Sequence, residues 1–226
     1  MTATIIPGGF RGFDCNVPLT ALTARRFYEH GYTFVLRYVP RIAQRAGDLT
    51  AEEISIIRAA GLGLMPVQHV EPNEWTPTPS KGGSYGRAAA VRCLELGIAP
   101  ETSVWLDLES VAAGVPTAEV IGYCNNWYKA VRDVGFSPGI YVGWQCGLSA
   151  HDLYWRLKFR AFWSAYNLDS DQHPVVRGVQ MHQREPKPDD LPHGVGIAID
   201  VNLVSGDALG GLPVMDTLSP RSPVSL

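Results

Sequence analysis

Along the first two thirds of the chain one unit recurs: an amphipathic helix, a glycine, then a short apolar strand. The helix ends fall at Gly31, Gly61, Gly97 and Gly135, and glycine takes the left-handed C-terminal cap without steric cost. After each comes a β-type run: FVLRYV (34–39), GLMPVQHV (63–70), SVWLDLE (103–109) and GIYVGW (139–144). Helix starts are marked as well, by a capping box of Thr50 with Glu53 and by Thr117 ahead of AEVIGYCNNWYKAVRDVG. Alternating strand and helix signals predict βα units and a mainly parallel sheet.

Four further strands are expected at GFDCN (12–16), AFWSAY (161–166), VVRGVQMHQ (175–183) and GIAIDVNLV (196–204). The total of about eight is the number that closes a TIM-type barrel. The last three leave little room for helices, so the second half is expected to be irregular, with antiparallel or helix-free connections. The rival, an open doubly wound sheet, usually carries a glycine-rich phosphate loop after its first strand; here that strand runs into FDCNVPLT. At 226 residues, 46% hydrophobic and 18% charged, the chain suits one α/β domain with a sizeable core. Residues 1–205 form the expected single (β/α)-barrel, TIM-barrel-like, and 206–226, ending in SPRSPVSL, a C-terminal surface extension.

The sharpest local signal is Trp105-Leu106-Asp107-Leu108-Glu109. Alternate side chains of a strand share a face, so Trp105, Asp107 and Glu109 point one way and the aliphatic residues the other. Two acids separated by roughly 6.6 Å along a strand influence each other's pKa, and barrel enzymes place their catalytic groups at such strand ends. In the last strand Ile197, Ile199 and Val201 form an apolar face, with Ala198, Asp200 and Asn202 opposite; in the first, Asp14 follows Phe13. First and last strands are neighbours in a closed barrel, so Asp14 and Asp200 are expected side by side, facing Asp107 and Glu109. Single acids near strand ends often cap a helix instead; four at three matched ends favour a shared site. Such a cluster suits glycoside hydrolysis, in which one carboxyl stays protonated and another ionised.

In order and position GFDCN, WLDLE and IDVN resemble the three acidic motifs of the glycoside hydrolase family 25 lysozymes. With FVLRYV, GIYVG and GVQMHQ added, the chain more closely resembles a related bacterial glycoside hydrolase-like family, over about residues 8–205. The resemblance implies Glu109 as general acid, Asp107 assisting a nucleophile that can be the substrate's own acetamido group, and Asp14 and Asp200 positioning groups and tuning charge. Cys15 departs from the lysozyme pattern. FVLRYV brings Arg37 towards the barrel, where it would hold Glu109 ionised and weaken it as an acid.

For substrate binding, Trp75, Tyr141, Trp144, Trp163 and Tyr166 lie at or after strand segments, Trp163 and Tyr166 being the first choices for sugar stacking; core packing is the plainer role for aromatics in strands. Gln180 and His182 share a strand face from which they could reach the site. GGSYG (82–86) matches the serine nucleophile elbow formally, but WTPTPSKGG reads as a proline-rich loop rather than the strand that motif needs. No P-loop, HExxH or zinc-ligand spacing occurs, and neither a cofactor nor a metal is required, Mg²⁺ or Ca²⁺ on the acids being a minor option. The net charge of -3 gives no footprint for nucleic acid, and no apolar run reaches membrane-spanning length. The opening MTATIIPGGFRGFD shows no secretory signal, and Cys15, Cys93, Cys124 and Cys146 have no pairing or metal spacing. They are expected as free thiols in a protein that is made in the cytosol, or that reaches a cell wall by a signal-independent route. The expected partner is a glycan polymer, peptidoglycan or another amino-sugar chain; the runner-up is a barrel that binds glycan or a partner protein without turnover. Oligomeric state is not encoded in these features.

Overall fold

The structure is a computed structural model that describes residues 1–72, 74–168, 171, 178–206 and 211–218. Seven strands run parallel around a barrel: β2 (Arg11–Cys15), β3 (Phe34–Val39), β4 (Gly63–Gln68), β5 (Ser103–Leu108), β6 (Ser137–Val142), β7 (Phe162–Ser164) and β8 (Val179–Arg184). The eighth, β9 (Asp200–Val204), pairs antiparallel with both β8 and β2 and closes it. Helices α1 (Ala21–Glu29), α2 (Ala51–Ala59), α3 (Pro79–Glu95) and α4 (Thr117–Val134) cover the first half. Among the described residues no α-helix follows α4, only a π-type turn at Asp152–Arg156 and a 3-10 turn at Pro188–Asp190. The eight-stranded barrel and its irregular second half agree with the sequence reading; residues 175–177 of the seventh expected strand lie outside the described residues.

The glycines at 31, 61, 97 and 135 all have positive φ and end helices. Side-chain alternation sorts the apolar residues into two cores. Phe34, Leu36, Met65, Val67, Trp105, Trp163 and Met181 fill the barrel; Val35, Val39, Val104, Leu106, Leu108 and Val201 pack outward with helix residues such as Tyr123, Trp127 and Val131. Each fully buried side chain of this size contributes about 1.5–3 kcal/mol. The four cysteines are free and buried.

Three features differ from expectation. The segment read as a proline-rich loop is already the helix α3 by Pro79, and GGSYG is helical. Its glycines let α4 approach: a Cβ on Gly82 would lie 2.1 Å from the carbonyl oxygen of Tyr123, and one on Gly86 2.7 Å from that of Trp127. Close helix packing thus accounts for the motif. At Thr50 the capping is one-sided: its hydroxyl accepts from the Glu53 N–H at 3.2 Å, but the Glu53 carboxylate turns away to Leu19 N–H and Arg37. Finally, the region after residue 206 is more than a surface extension. Strand β10 (Val214–Thr217) pairs with an N-terminal strand, β1 (Thr2–Ile5), and with β4. Asp216 is buried, accepting from Arg58 Nη2 at 2.6 Å and from Ala99 N–H at 2.9 Å. Residues 207–210 and SPRSPVSL lie outside the described residues.

Candidate functional site

The four acids meet at the C-terminal mouth of the barrel. Asp14 is the direct register partner of Asp200 across the β2–β9 pair, and facing residues of paired strands share a side. Asp200 opens its strand rather than ending it; because β9 runs antiparallel, its start lies at the same rim as the other strands' ends. Asp107 sits on the inward face of β5, and Glu109 follows directly after that strand.

The two pairs are held differently. Asn202 Nδ2 donates to Asp14 Oδ2 at 2.8 Å, and Gln183 Nε2 donates to Asp14 Oδ2 at 3.1 Å and to Asp200 Oδ2 at 3.4 Å. The Gln183 carbonyl accepts from the Tyr141 hydroxyl at 2.8 Å, which fixes the amide's orientation. Asp107 accepts from the backbone N–H of Val70, while its Oδ1 is buried with no hydrogen-bond partner among the described residues.

Burial comes first among the causes that raise all four carboxyls. Asp14 is pushed up to about 7, the amide of Asn202 pulling it down and the charge of Asp200 adding to the rise. Asp107 is raised well above the usual range by burial, then by Glu109 and Asp14. Glu109 is raised by burial and Asp200, and Asp200 by burial and Glu185. Of Asp107 and Glu109, Asp107 is the deeper.

Backbone geometry sets Glu109. Ser110 and Gln145 stand at φ 53° each, in the left-handed region where side chains are strained. Their loops are zipped together by Ser110 N–H to Trp144 O at 2.8 Å and Val111 N–H to Gln145 O at 2.9 Å. Trp75 Nε1 donates to the Glu109 carbonyl at 2.8 Å. Gly143 leaves the space: a Cβ there would lie 2.6 Å from both Cβ and Oε2 of Glu109. An open cleft of about 240 Å³ is lined by Asp14, Cys15, Asn16, Tyr38, Ala198, Ile199 and Asp200.

Of the other expected site residues, Tyr141 and Tyr166 lie at the mouth. Tyr166 is 48% exposed, hydrogen-bonded to Glu185 and within electrostatic reach of Asp200 and Asp14. Arg37 does not lie there. Leu36 and Tyr38 face inward, so strand alternation turns Arg37 outward, where Nε meets Glu53 Oε1 at 2.6 Å and Nη2 meets Gly47 O at 2.8 Å. No guanidinium from β3 therefore holds Glu109 ionised. Trp163 points inward but is 1% exposed, lying 4.5 Å from the Tyr141 ring and 6.0 Å from that of Trp105; it packs the barrel interior and offers no stacking surface.

Gln180 is also displaced. Phe162 pairs with Val179 and Trp163 with Met181, leaving Gln180 as the extra residue of a β-bulge. The bulge turns it to a hollow beside Ser137 and Arg160, away from the acids, and His182 is exposed. Sequence reasoning missed Gln183 for the same reason: simple alternation from Gln180 assigns it to the wrong face. The polar residue facing Asn202 in register was the available signal.

A protein-family model described as Rv2525c-like, glycoside hydrolase-like domain matches residues 25–204, starting after Asp14. No curated protein matches the chain significantly. Solved structures share the fold at low identity. An uncharacterized B. stearothermophilus protein is 20% identical with a TM-score of 0.61, covering 87% of this chain and 96% of its own. The Mycobacterium tuberculosis Tat-secreted protein Rv2525c is 15% identical, TM-score 0.61, covering 88% and 95%. A bacterial lysozyme from Streptomyces coelicolor is 16% identical, TM-score 0.61, covering 90% and 95%.

Proposed function

Because the chain belongs to the Rv2525c-like glycoside hydrolase-like domain family, we propose that its acid mouth cleaves glycosidic bonds of peptidoglycan or a related amino-sugar polymer. The observation that carries this reading is the convergence of Asp14, Asp107, Glu109 and Asp200 on one mouth, where burial raises every carboxyl. Glycoside hydrolysis through a cationic transition state needs a carboxyl that gives a proton and another that carries charge. Glu109, less buried than Asp107, gives the proton to the leaving oxygen. Asp107 then holds the negative charge behind it and orients the nucleophile. Asp14 and Asp200, clamped by Gln183, position substrate polar groups and keep the local field negative. The choice of an amino-sugar chain draws on the solved lysozyme that shares the fold.

A second reading, a barrel that binds glycan without turnover, draws on the depth of Asp107, which keeps its carboxyl away from a substrate at the mouth. Wild type and Glu109→Gln decide between them in two assays, release of reducing ends from peptidoglycan and affinity for a chitin oligomer. The hydrolase reading expects turnover that falls about 10²–10⁴-fold in the variant, with affinity retained because Gln still hydrogen-bonds a sugar hydroxyl. Binding by both proteins with turnover by neither selects the second reading, and equal turnover by both removes Glu109 from the mechanism.

A further inference from the structure

A wide concave surface lies away from the acids. A hollow of about 440 Å³ runs between α4 and the β6–β7 connection, lined among others by Tyr128, Arg132, Tyr154, Trp155, Lys158 and Arg160. A second, of about 410 Å³, shares Tyr128, Arg132 and Arg160 and extends to Ser137 and Pro138 at the start of β6. Together they form a trough leading to the N-terminal end of the barrel, opposite the mouth.

Two features set this trough apart from ordinary surface. Its described lining carries charge of one sign: among the described residues no Asp or Glu lines either hollow. The nearby carboxylates are engaged elsewhere, Asp133 with Lys129 at 2.5 Å and Asp152 with Arg156 at 3.0 Å. Arg132, Lys158 and Arg160 form no ion pair with any described residue, in a chain whose net charge is -3. The second feature is aromatic. Trp155 is 66% exposed and braced edge-on by Tyr154 at 4.6 Å, on the π-type turn Asp152–Arg156, a form of backbone frequently found at functional sites. A large exposed ring beside a concave cationic floor offers a flat stacking face next to positive charge.

We infer that this trough is a second binding site, for an acidic saccharide whose sugar ring stacks on Trp155 and whose carboxylate or phosphate groups sit on Arg132, Lys158 and Arg160. The inference does not rest on turnover at the acid mouth. Arginine meets such oxygens with paired N–H donors, and a pyranose presents an apolar C–H face to an indole. Binding there leaves the mouth open, so the same chain could be held on one part of the molecule while another part reaches the acids.

Calorimetric titration of the full chain tests this with four probes: a galacturonate hexamer (rings with carboxylates), a glycerol-phosphate hexamer (phosphates without rings), a chitin hexamer (rings without charge) and inorganic phosphate. The galacturonate hexamer is expected to bind most tightly of the four, and more weakly at high salt. Its affinity should fall at least about tenfold in Trp155→Ala and in Arg132→Ala/Arg160→Ala, surface changes that leave the melting temperature unaltered. Trp155→Tyr, which keeps a ring, should recover part of it, and Tyr166→Ala, a change at the acid mouth, should bind like wild type. Equal binding of the glycerol-phosphate hexamer or of phosphate alone would reduce the trough to a general anion patch and overturn the saccharide assignment. Loss of galacturonate binding in Tyr166→Ala, with Trp155→Ala binding like wild type, would place the ligand at the mouth instead. Tighter binding of a single-stranded oligonucleotide would assign the trough to nucleic acid. If Trp155→Ala fails to fold, Trp155→Tyr and the arginine pair still decide, and galacturonate affinity unchanged in both would overturn the site.

Discussion

The two carboxylate pairs at the mouth sit in opposite kinds of surroundings. Asp14 and Asp200 come from different strands that meet in register, and side-chain amides of Gln183 and Asn202 tie them. Asp107 and Glu109 come from one strand and its exit, and neither carboxylate receives a side-chain hydrogen bond from a described residue; Asp107 has only the Val70 N–H. An amide that donates to a carboxylate favours its ionised form, whereas burial without donors favours the proton. One pair is therefore held by donors and the other left to burial, the difference on which the proposed division between positioning and proton transfer rests.

This contrast can be broken or sharpened at four places. The largest effect is expected at Arg37, which separates the acids from the protein's buried charge. Arg37→Met strands Glu53 in the interior and should cost about 3–5 kcal/mol in a denaturant titration, while the pH profile of turnover keeps its shape. A shifted profile would mean that Arg37 does act on the mouth.

Asp14 comes next. Its carboxyl is raised from 3.8 to about 7 in the folded chain, so the folded state binds the proton more tightly than the unfolded one. The associated stability is full below about pH 4 and is lost as pH rises through about 7. Asp14→Asn should remove this loss, gaining on wild type by up to about 4 kcal/mol between those limits. Denaturant titrations at several pH values measure the difference; a flat difference would put the strain of the cluster on another member.

Gly143→Ala tests the unclamped pair. The new methyl has no room beside Glu109, and a displacement of about 1 Å is worth on the order of 100-fold in turnover. Unaltered turnover would mean that Glu109 need not hold its observed position. The smallest effect belongs to Gln183→Leu, which removes one donor each from Asp14 and Asp200. Loss of the donor should raise the Asp14 carboxyl above about 7, followed by carboxyl NMR titration, and lower turnover roughly tenfold. An equal shift at Asp107 would show that the two pairs are not independent.

Much of this arrangement was legible in the chain because it follows local rules. Period-two alternation in WLDLE and in IAIDVNLV puts the acids on one face and the aliphatics on the other, and both faces stand as read. Glycine's tolerance of positive φ marks the helix ends. Alternation failed where a single residue broke the count: at Gln180 the bulge reverses the faces of β8 and hands the site to Gln183. At Arg37 the alternation was available in Leu36 and Tyr38, but whether the inward face of β3 is the even or the odd set depends on what packs against it.

By itself, then, the sequence determined the βα order, the faces of the acid-bearing strands and the four acids, because propensity, periodicity and capping act within a few residues. Only the tertiary structure decided which partners those residues meet. The antiparallel β9 that sets Asp200 against Asp14, the β1–β10 pair locked by Arg58 and Asp216, and the helical glycines beneath α4 all join segments far apart in the chain. Such contacts form only when burial of the whole barrel offsets the entropy of closing long loops, and no local pattern records that balance.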